Sequence, residues 1–261
     1  MKHSSLEAPQ FYITSSQPCP YIEGLFEKKL FTTLNGSKAQ GLNDTLSRQG
    51  FRRSQNIIYR PSCKNCSACK SVRIPVEEYS FSKSERRVLA KNVNLSRQKS
   101  PPMATDDQFD LFSRYLKNRH NHGGMAEMDA FEFSLMVEES NVHTVIYEYY
   151  DKEKLIAVCI TDVIADGISM VYSFFDVENS KKNSLGKFMI LDHIRIAKEL
   201  CVKYLYLGYL IEASKKMNYK SQYHPLEYFQ NGKWIKYHRD TNNKSGYSSE
   251  ALDYNNPILL P

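Results

Sequence analysis

Residues 155–175 read LIAVCITDVIADGISMVYSFF. Two runs rich in β-branched and aromatic residues, 155–163 and 168–175, flank Ala165-Asp166-Gly167, which has the composition of a tight turn. A third such run, 145–150, precedes them across Asp151-Lys152-Glu153. Three short runs joined by short turns predict a meander of antiparallel strands. Beyond them the period changes. Over 184–200, Leu185, Phe188, Met189, Ile196, Ala197 and Leu200 are apolar, while Lys187, Arg195, Lys198 and Glu199 are polar. That spacing predicts an amphipathic helix. A strand rich in Tyr and Leu follows at 203–210.

Three strands, a helix and a further strand is the order of an acetyltransferase-like acyl-transfer core, so the fold class expected is α+β. In such a core a splayed strand pair sits beside a helix N-terminus whose free N–H groups can hold a phosphate. An ordinary helix start with one glycine reads the same way. Upstream, 40–49 predicts a short helix with Leu42 and Leu46 on one face and Gly50 as its stop. Strands are expected at 56–60, ended by Pro61, and at 71–75, with a helix at 84–91. Pro101-Pro102 marks a break. Thr105 caps a helix running to Asn118, with Phe109, Phe112 and Leu116 at helical spacing. A turn at 120–124, a helix at 130–138, and a short helix ahead of an aromatic segment at 228–237 complete the pattern. Residues 240–261, Asn- and Ser-rich with little periodicity, read as a mobile tail. Two parts are expected: an Arg/Cys-rich one at 1–100 and an acyl-transfer one at 101–239.

Of the 261 residues 41% are apolar and 25% charged, which excludes global disorder and fibrous classes. The longest apolar run, 155–160, is far short of the roughly 20 residues of a membrane span. With no apolar h-region in the first thirty residues, a cytosolic protein with no membrane partner is expected. The net charge of +6 is concentrated. Residues 52–99 hold twelve basic residues against three acidic ones, a net +9, so the remainder sums to −3. Phe51, Tyr59, Tyr79 and Phe81 punctuate that block. Such a pattern fits a polyanion such as RNA, or equally a solvated basic face.

Cys63-Lys64-Asn65-Cys66-Ser67-Ala68-Cys69 is C-x2-C-x2-C, with Cys19 far off between two prolines. Four thiolates make a complete set for a structural zinc or an iron–sulfur cluster, and Arg60, Lys64 and Lys70 would lower their pKa values. A turn with incidental thiols is the alternative. Cys159 and Cys201 read as small core residues.

Several motifs, taken in order, resemble the bacterial branch of the aminoacyl-tRNA–protein transferases. In the first half these are Pro18-Cys19-Pro20-Tyr21, Gly50-Phe51-Arg52-Arg53-Ser54-Gln55, Tyr59-Arg60-Pro61, the cysteine cluster and Val72-Arg73-Ile74-Pro75. The second half adds Thr161-Asp162-Val163, Val171-Tyr172-Ser173-Phe174-Phe175-Asp176, Ser184-Leu185-Gly186 and Leu207-Gly208-Tyr209. It closes with Lys216-Met217-Asn218-Tyr219-Lys220, Gln222-Tyr223 and Pro225. The similarity covers about residues 10–237. It departs at Leu210, where an aromatic is common, and at Ala213 and Ser214, which replace a His-Ser-Cys sequence of the eukaryotic branch. The resemblance implies charged tRNA as donor partner and protein N-termini as acceptors. Leucine would pass to proteins beginning with Asp or Glu, arginine being the alternative donor.

An aminoacyl ester is already activated, so neither ATP nor coenzyme A is required. The acceptor α-amine, with a pKa of roughly 7.7–8.0, is partly neutral at pH 7. Asp176 is the first candidate to orient or deprotonate it, with capping of the following turn as its competing role; Glu212 is the second. The N–H groups of Ser184, Leu185, Gly186 and Lys187, with Lys181 and Lys182, suit the phosphates of the tRNA acceptor end. Tyr209 and Tyr219 could stack on the terminal adenosine, or be core aromatics. Lys216 and Lys220 are phosphate contacts or the exposed face of a helix. Arg52, Arg53, Arg60 and Arg73 offer the bidentate geometry that an acidic acceptor residue calls for. His120, His122 and His193 are expected to be structural. The competing classes are an acetyl-CoA-dependent acetyltransferase and a zinc-containing RNA-binding protein without turnover.

Overall fold

The protein is described by a computed structural model covering residues 8–119 and 128–238. The turn expected at 120–124 and the tail expected at 240–261 lie outside these residues. The meander forms: Thr144–Asp151, Lys154–Ile164 and Gly167–Phe175 pair antiparallel in sequence order. From Phe175 the chain passes through the helix Leu185–Glu199 and returns as Tyr204–Leu210, parallel to Gly167–Phe175. A parallel return needs such a crossover. At the point of pairing only glycine fits, since a Cβ on Gly167 would lie 2.3 Å from the Tyr204 carbonyl oxygen.

On the sheet face that the helix covers, Phe188 meets Tyr149 and His193 meets Tyr147 at centroid distances of 5.5 and 5.3 Å, and Leu185, Met189, Leu191 and Ile194 of the helix are fully buried. Each such side chain contributes about 1.5–3 kcal/mol of burial. Asp106–Arg119, started by the Thr105 hydroxyl accepting the Gln108 N–H, stacks Phe112 on Phe133 and Phe174 at centroid distances of 4.9 and 5.4 Å. Phe133 belongs to Ala130–Glu138, which begins with a capping box at Asp129 and Glu132.

The expected boundary at residue 100 does not divide the sheets. The large sheet has eight strands, in the spatial order Lys233–Lys236, Glu227–Gln230, Lys70–Pro75, Tyr204–Leu210, Gly167–Phe175, Lys154–Ile164, Thr144–Asp151 and Ser96–Ser100. Two of them come from the segment assigned to the N-terminal part. Basic residues mark that segment in sequence, but strand partnership is set by Val72 and Ile74, which are fully buried against the C-terminal core. A smaller antiparallel sheet, Tyr12–Ile13, Lys29–Thr33, Ile57–Pro61 and Arg52–Ser54, carries the helix Ala39–Arg48 and its own core of Leu34, Ala39, Leu46, Phe51 and Ile58. Gly50 (φ +79) follows that helix.

Candidate active site where two strands part

Gly167–Phe175 and Tyr204–Leu210 pair only over residues 167–169 and 204–206. Beyond Ser169 and Tyr206 the two strands part. The register of Tyr204–Leu210 against Lys70–Pro75 also shifts between Tyr206 and Gly208, and Gly208 has φ +73. Arg52 reaches into the gap from the small sheet. Its Nη2 donates to the Val171 carbonyl at 2.7 Å, and a Cβ on Gly208 would lie 2.8 Å from its Nη1. Gly208 is thus required by its backbone angle and by the arginine laid against it. The resemblance quoted this glycine without a role. An isolated glycine inside an apolar strand is nonetheless a signal of close backbone approach.

Tyr209 is a wall of this gap. Its hydroxyl donates to the Tyr59 carbonyl at 2.9 Å and to the Gly50 carbonyl at 3.3 Å, and burial holds its pKa well above the phenol value. It is therefore a core aromatic that ties the two sheets together. Lys220 is not on an exposed helix face: it is 3% exposed, and its Nζ donates to the Tyr209 carbonyl at 2.8 Å. The segment is a 3-10 turn, Asn218–Gln222, whose three-residue period rotates Lys220 inward. Burial, then the Arg52 charge, pushes its pKa down to about 7. Tyr219, next to it, keeps much of its surface in solvent, and Lys216 is exposed.

The four arginines separate. Arg53 is buried and its Nη2 donates to Asp162 at 2.7 Å, with Nε on the other carboxylate oxygen. Arg73 is buried between Tyr204 and Trp234, at 3.5 and 4.2 Å from the ring centroids, and its Nε donates to Glu227 at 2.7 Å. Each already holds a carboxylate of this chain. Arg60 lies over the Phe51 ring at 5.0 Å. For Arg52, no carboxylate lies within 4 Å among the described residues.

Asp176 takes its competing role. It begins a helix that the sequence pattern missed, Val177–Asn183, accepting the N–H groups of Glu178 at 3.0 Å and Asn179 at 3.1 Å as well as Lys154 Nζ. Burial raises its pKa, but the Asn179 N–H and Lys154 outweigh it, and the carboxyl stays below its ordinary range. That makes it a weak base for an amine. Glu212 is more than half exposed and accepts from the Tyr237 hydroxyl at 2.8 Å.

The expected phosphate cradle changes as well. Ser184 joins the two helices directly in a left-handed conformation (φ 56), and Gly186 is accounted for by packing, since a Cβ there would lie 3.1 Å from the Phe175 ring. Lys181 pairs with Glu178 at 2.8 Å, Lys182 sits on the same helix, and Lys187 is 4.0 Å from Glu85.

Cys19, Cys63, Cys66 and Cys69 do converge, lining one cavity of about 40 Å³ with Tyr59 and Tyr209. Cys63 and Cys69 depart from the expected lowering of thiol pKa by nearby cations: burial raises both. Burial, then the thiols of Cys63, Cys66 and Cys19, pushes Cys69 up to about 12. The donor chemistry suits a metal, but among the described residues no group of three His, Cys, Asp or Glu side chains is placed to hold one.

Two family models match. One, described as the C terminus of arginine-tRNA-protein transferase, covers residues 107–230; the other, its N terminus, covers residues 17–87. The chain belongs to the aminoacyl-tRNA–protein transferase family. It is 51% identical over 240 residues to the aspartate/glutamate leucyltransferase of Cereibacter sphaeroides strain ATCC 17029, covering 90% of this chain and 85% of that one. To the protein of the same name from Dinoroseobacter shibae it is 46% identical over 280 residues, covering 100% and 98%. A lysylphosphatidylglycerol synthetase C-terminal domain from Agrobacterium fabrum overlaps 55% of this chain and 47% of that one, with a TM-score of 0.44 and 11% identity. As a member of this family the protein is an aminoacyltransferase. The family's N-terminal region supplies Arg52 to a gap built by its C-terminal region, so the candidate site belongs to both.

Proposed function

We propose that this transferase moves leucine from Leu-tRNA to the α-amine of proteins that begin with Asp or Glu, in the cytoplasm, and so marks them for degradation. The names of its relatives support the donor and acceptors. The observation that carries the reading is Arg52, a half-buried cation in the parting of the strands with no carboxylate of its own among the described residues. It is placed to receive the carboxylate of an acidic first residue. The ester brings its own activation, so the chain's task is to hold the amine against the ester carbonyl and exclude water. Leucine rather than arginine as donor is favoured by the names of the relatives, which are aspartate/glutamate leucyltransferases.

A zinc ion or iron–sulfur cluster on the four cysteines is a separate proposal. Stoichiometric metal in protein purified under reducing conditions, lost in Cys69→Ser, would support it. The activity is tested with purified protein, Leu-tRNA or Arg-tRNA, and peptides beginning with Asp, Glu, Lys or Ala. Leucine should appear on the Asp and Glu peptides alone. No transfer to either from either donor would refute the reading.

A further inference from the structure

Two cations share the parting of the strands. Arg52 spends one guanidinium nitrogen on the Val171 carbonyl. Lys220, from the other side, spends one N–H on the Tyr209 carbonyl, with Met217 Sδ at 3.7 Å and the Tyr219 ring centroid at 4.8 Å. Among the described residues no carboxylate lies within 4 Å of either group. Burying a cation without an anion costs several kcal/mol, and the charge of Arg52 nearby adds to the cost at Lys220. Arg53 and Arg73, buried like Lys220, each hold a carboxylate.

We propose that Arg52 and Lys220 together receive the side-chain carboxylate of the acceptor's first residue, with Lys220 as the deeper of the two cations. This rests on the transfer to acidic N-termini proposed above, and it moves Lys220 from the tRNA to the acceptor. A carboxylate suits the place because it is flat and terminal. A tRNA phosphodiester would have to bring a ribose on each side past Val171 and Gly208-Tyr209 to reach Lys220, which is 3% exposed.

The state of Lys220 before binding follows from its surroundings. The groups facing it are Arg52 from the small sheet, Tyr209 from the adjoining strand and Tyr219 from its own turn; both phenols are uncharged at neutral pH, where a phenol keeps its proton. The nearest charge is therefore positive, and Lys220 gives up its proton near pH 7. A docked carboxylate reverses that balance. Lys220 then takes one proton from solvent, no covalent bond changes, and the Arg52–carboxylate–Lys220 set is neutralised apart from one positive charge.

The test compares peptides beginning with Asp and Asn. Calorimetric titration of the wild-type protein near pH 7.5, in two buffers of different ionisation enthalpy, reads proton exchange without any variant. The Asp peptide should take up a large fraction of one proton more than the Asn peptide, because release from the α-amine is common to both. Equal exchange together with an unchanged Asp-to-Asn ratio in Lys220→Met would overturn the proposal. Kinetics supply the second arm. Lys220→Met should reduce kcat/KM for the Asp peptide by about tenfold or more beyond its effect on the Asn peptide, mainly through KM. The KM for Leu-tRNA should change less. Lys220→Arg, charged at all pH values, should keep the Asp preference and lose the wild-type pH dependence near 7. An unchanged Asp-to-Asn ratio in Lys220→Met, or a rise confined to the KM for Leu-tRNA, would return Lys220 to structure or to the tRNA. Wild-type transfer to the Asp peptide, run alongside, separates failure of this inference from failure of the function itself.

Discussion

Most of the charged residues singled out by sequence are settled by a single partner. His193 shows how a buried group of this kind is paid for. It is fully buried, with Nδ1 2.7 Å from the Met189 carbonyl and Nε2 2.9 Å from the Thr161 hydroxyl, and burial pushes its pKa down to about 4. The unfolded chain protonates this imidazole near 6.5. Its contribution is thus complete above that value and lost as the pH falls from about 6.5 toward 4. Denaturant unfolding at pH 7 and 5 should show His193→Gln losing less stability between the two than wild type, by about 2 kcal/mol. Equal losses would show that His193 does not titrate in that window. The partners of the arginines were not legible beforehand, because Asp162 lies 109 residues from Arg53 and Glu227 lies 154 from Arg73. Nor was the burial of Lys220, since five residues of 3-10 turn are too few to display a period.

Whole elements were read more securely than their partners. The meander and the helices Asp106–Arg119, Ala130–Glu138 and Leu185–Glu199 follow their periodicity within a residue or two. The helix Val177–Asn183 was missed although its start signal was present: Asp176 as cap, with Glu178 in the first turn. The two-residue strands and the edge strand Ser96–Ser100, short or polar, carry no alternation to read. The helix Lys83–Lys91 presents a basic surface. Its one acid, Glu85, is buried and accepts from the Tyr79 hydroxyl at 2.8 Å, which leaves Lys83, Arg86, Arg87 and Lys91 on an exposed surface without a carboxylate of the same helix. Arg87→Ala and Lys91→Ala should weaken tRNA binding and each lower the slope of log affinity against log salt by about 1. Unchanged slopes would place the tRNA on another face.

At the scale of the molecule, the basic residues of the +9 block separate into different environments. Arg53 and Arg73 are internal ions; Arg97, on the exposed edge strand, reaches Asp192 at 3.0 Å, and the helix Lys83–Lys91 is a basic surface; and Arg52 stands in the parting of the strands. Charge counted along the chain could not separate them. The two sheets are held together by Arg53 with Asp162 and Thr144, by Tyr209 on the Tyr59 carbonyl, and by Trp234 Nε1 on the Arg48 carbonyl at 2.8 Å. Removing one partner of the buried ion pair strands the other, so Arg53→Ala should cost about 3–5 kcal/mol in equilibrium unfolding. A loss below 1 kcal/mol would mean the sheets dock without it. The central claim is that an arginine brought by one sheet reads the acceptor in a gap of the other. Its most direct test is competition between Asp- and Asn-initiated peptides for leucine from Leu-tRNA, in wild type and Arg52→Ala. The account predicts that the wild-type preference for Asp falls by about 10- to 100-fold in the variant; a preference that survives intact would contradict it.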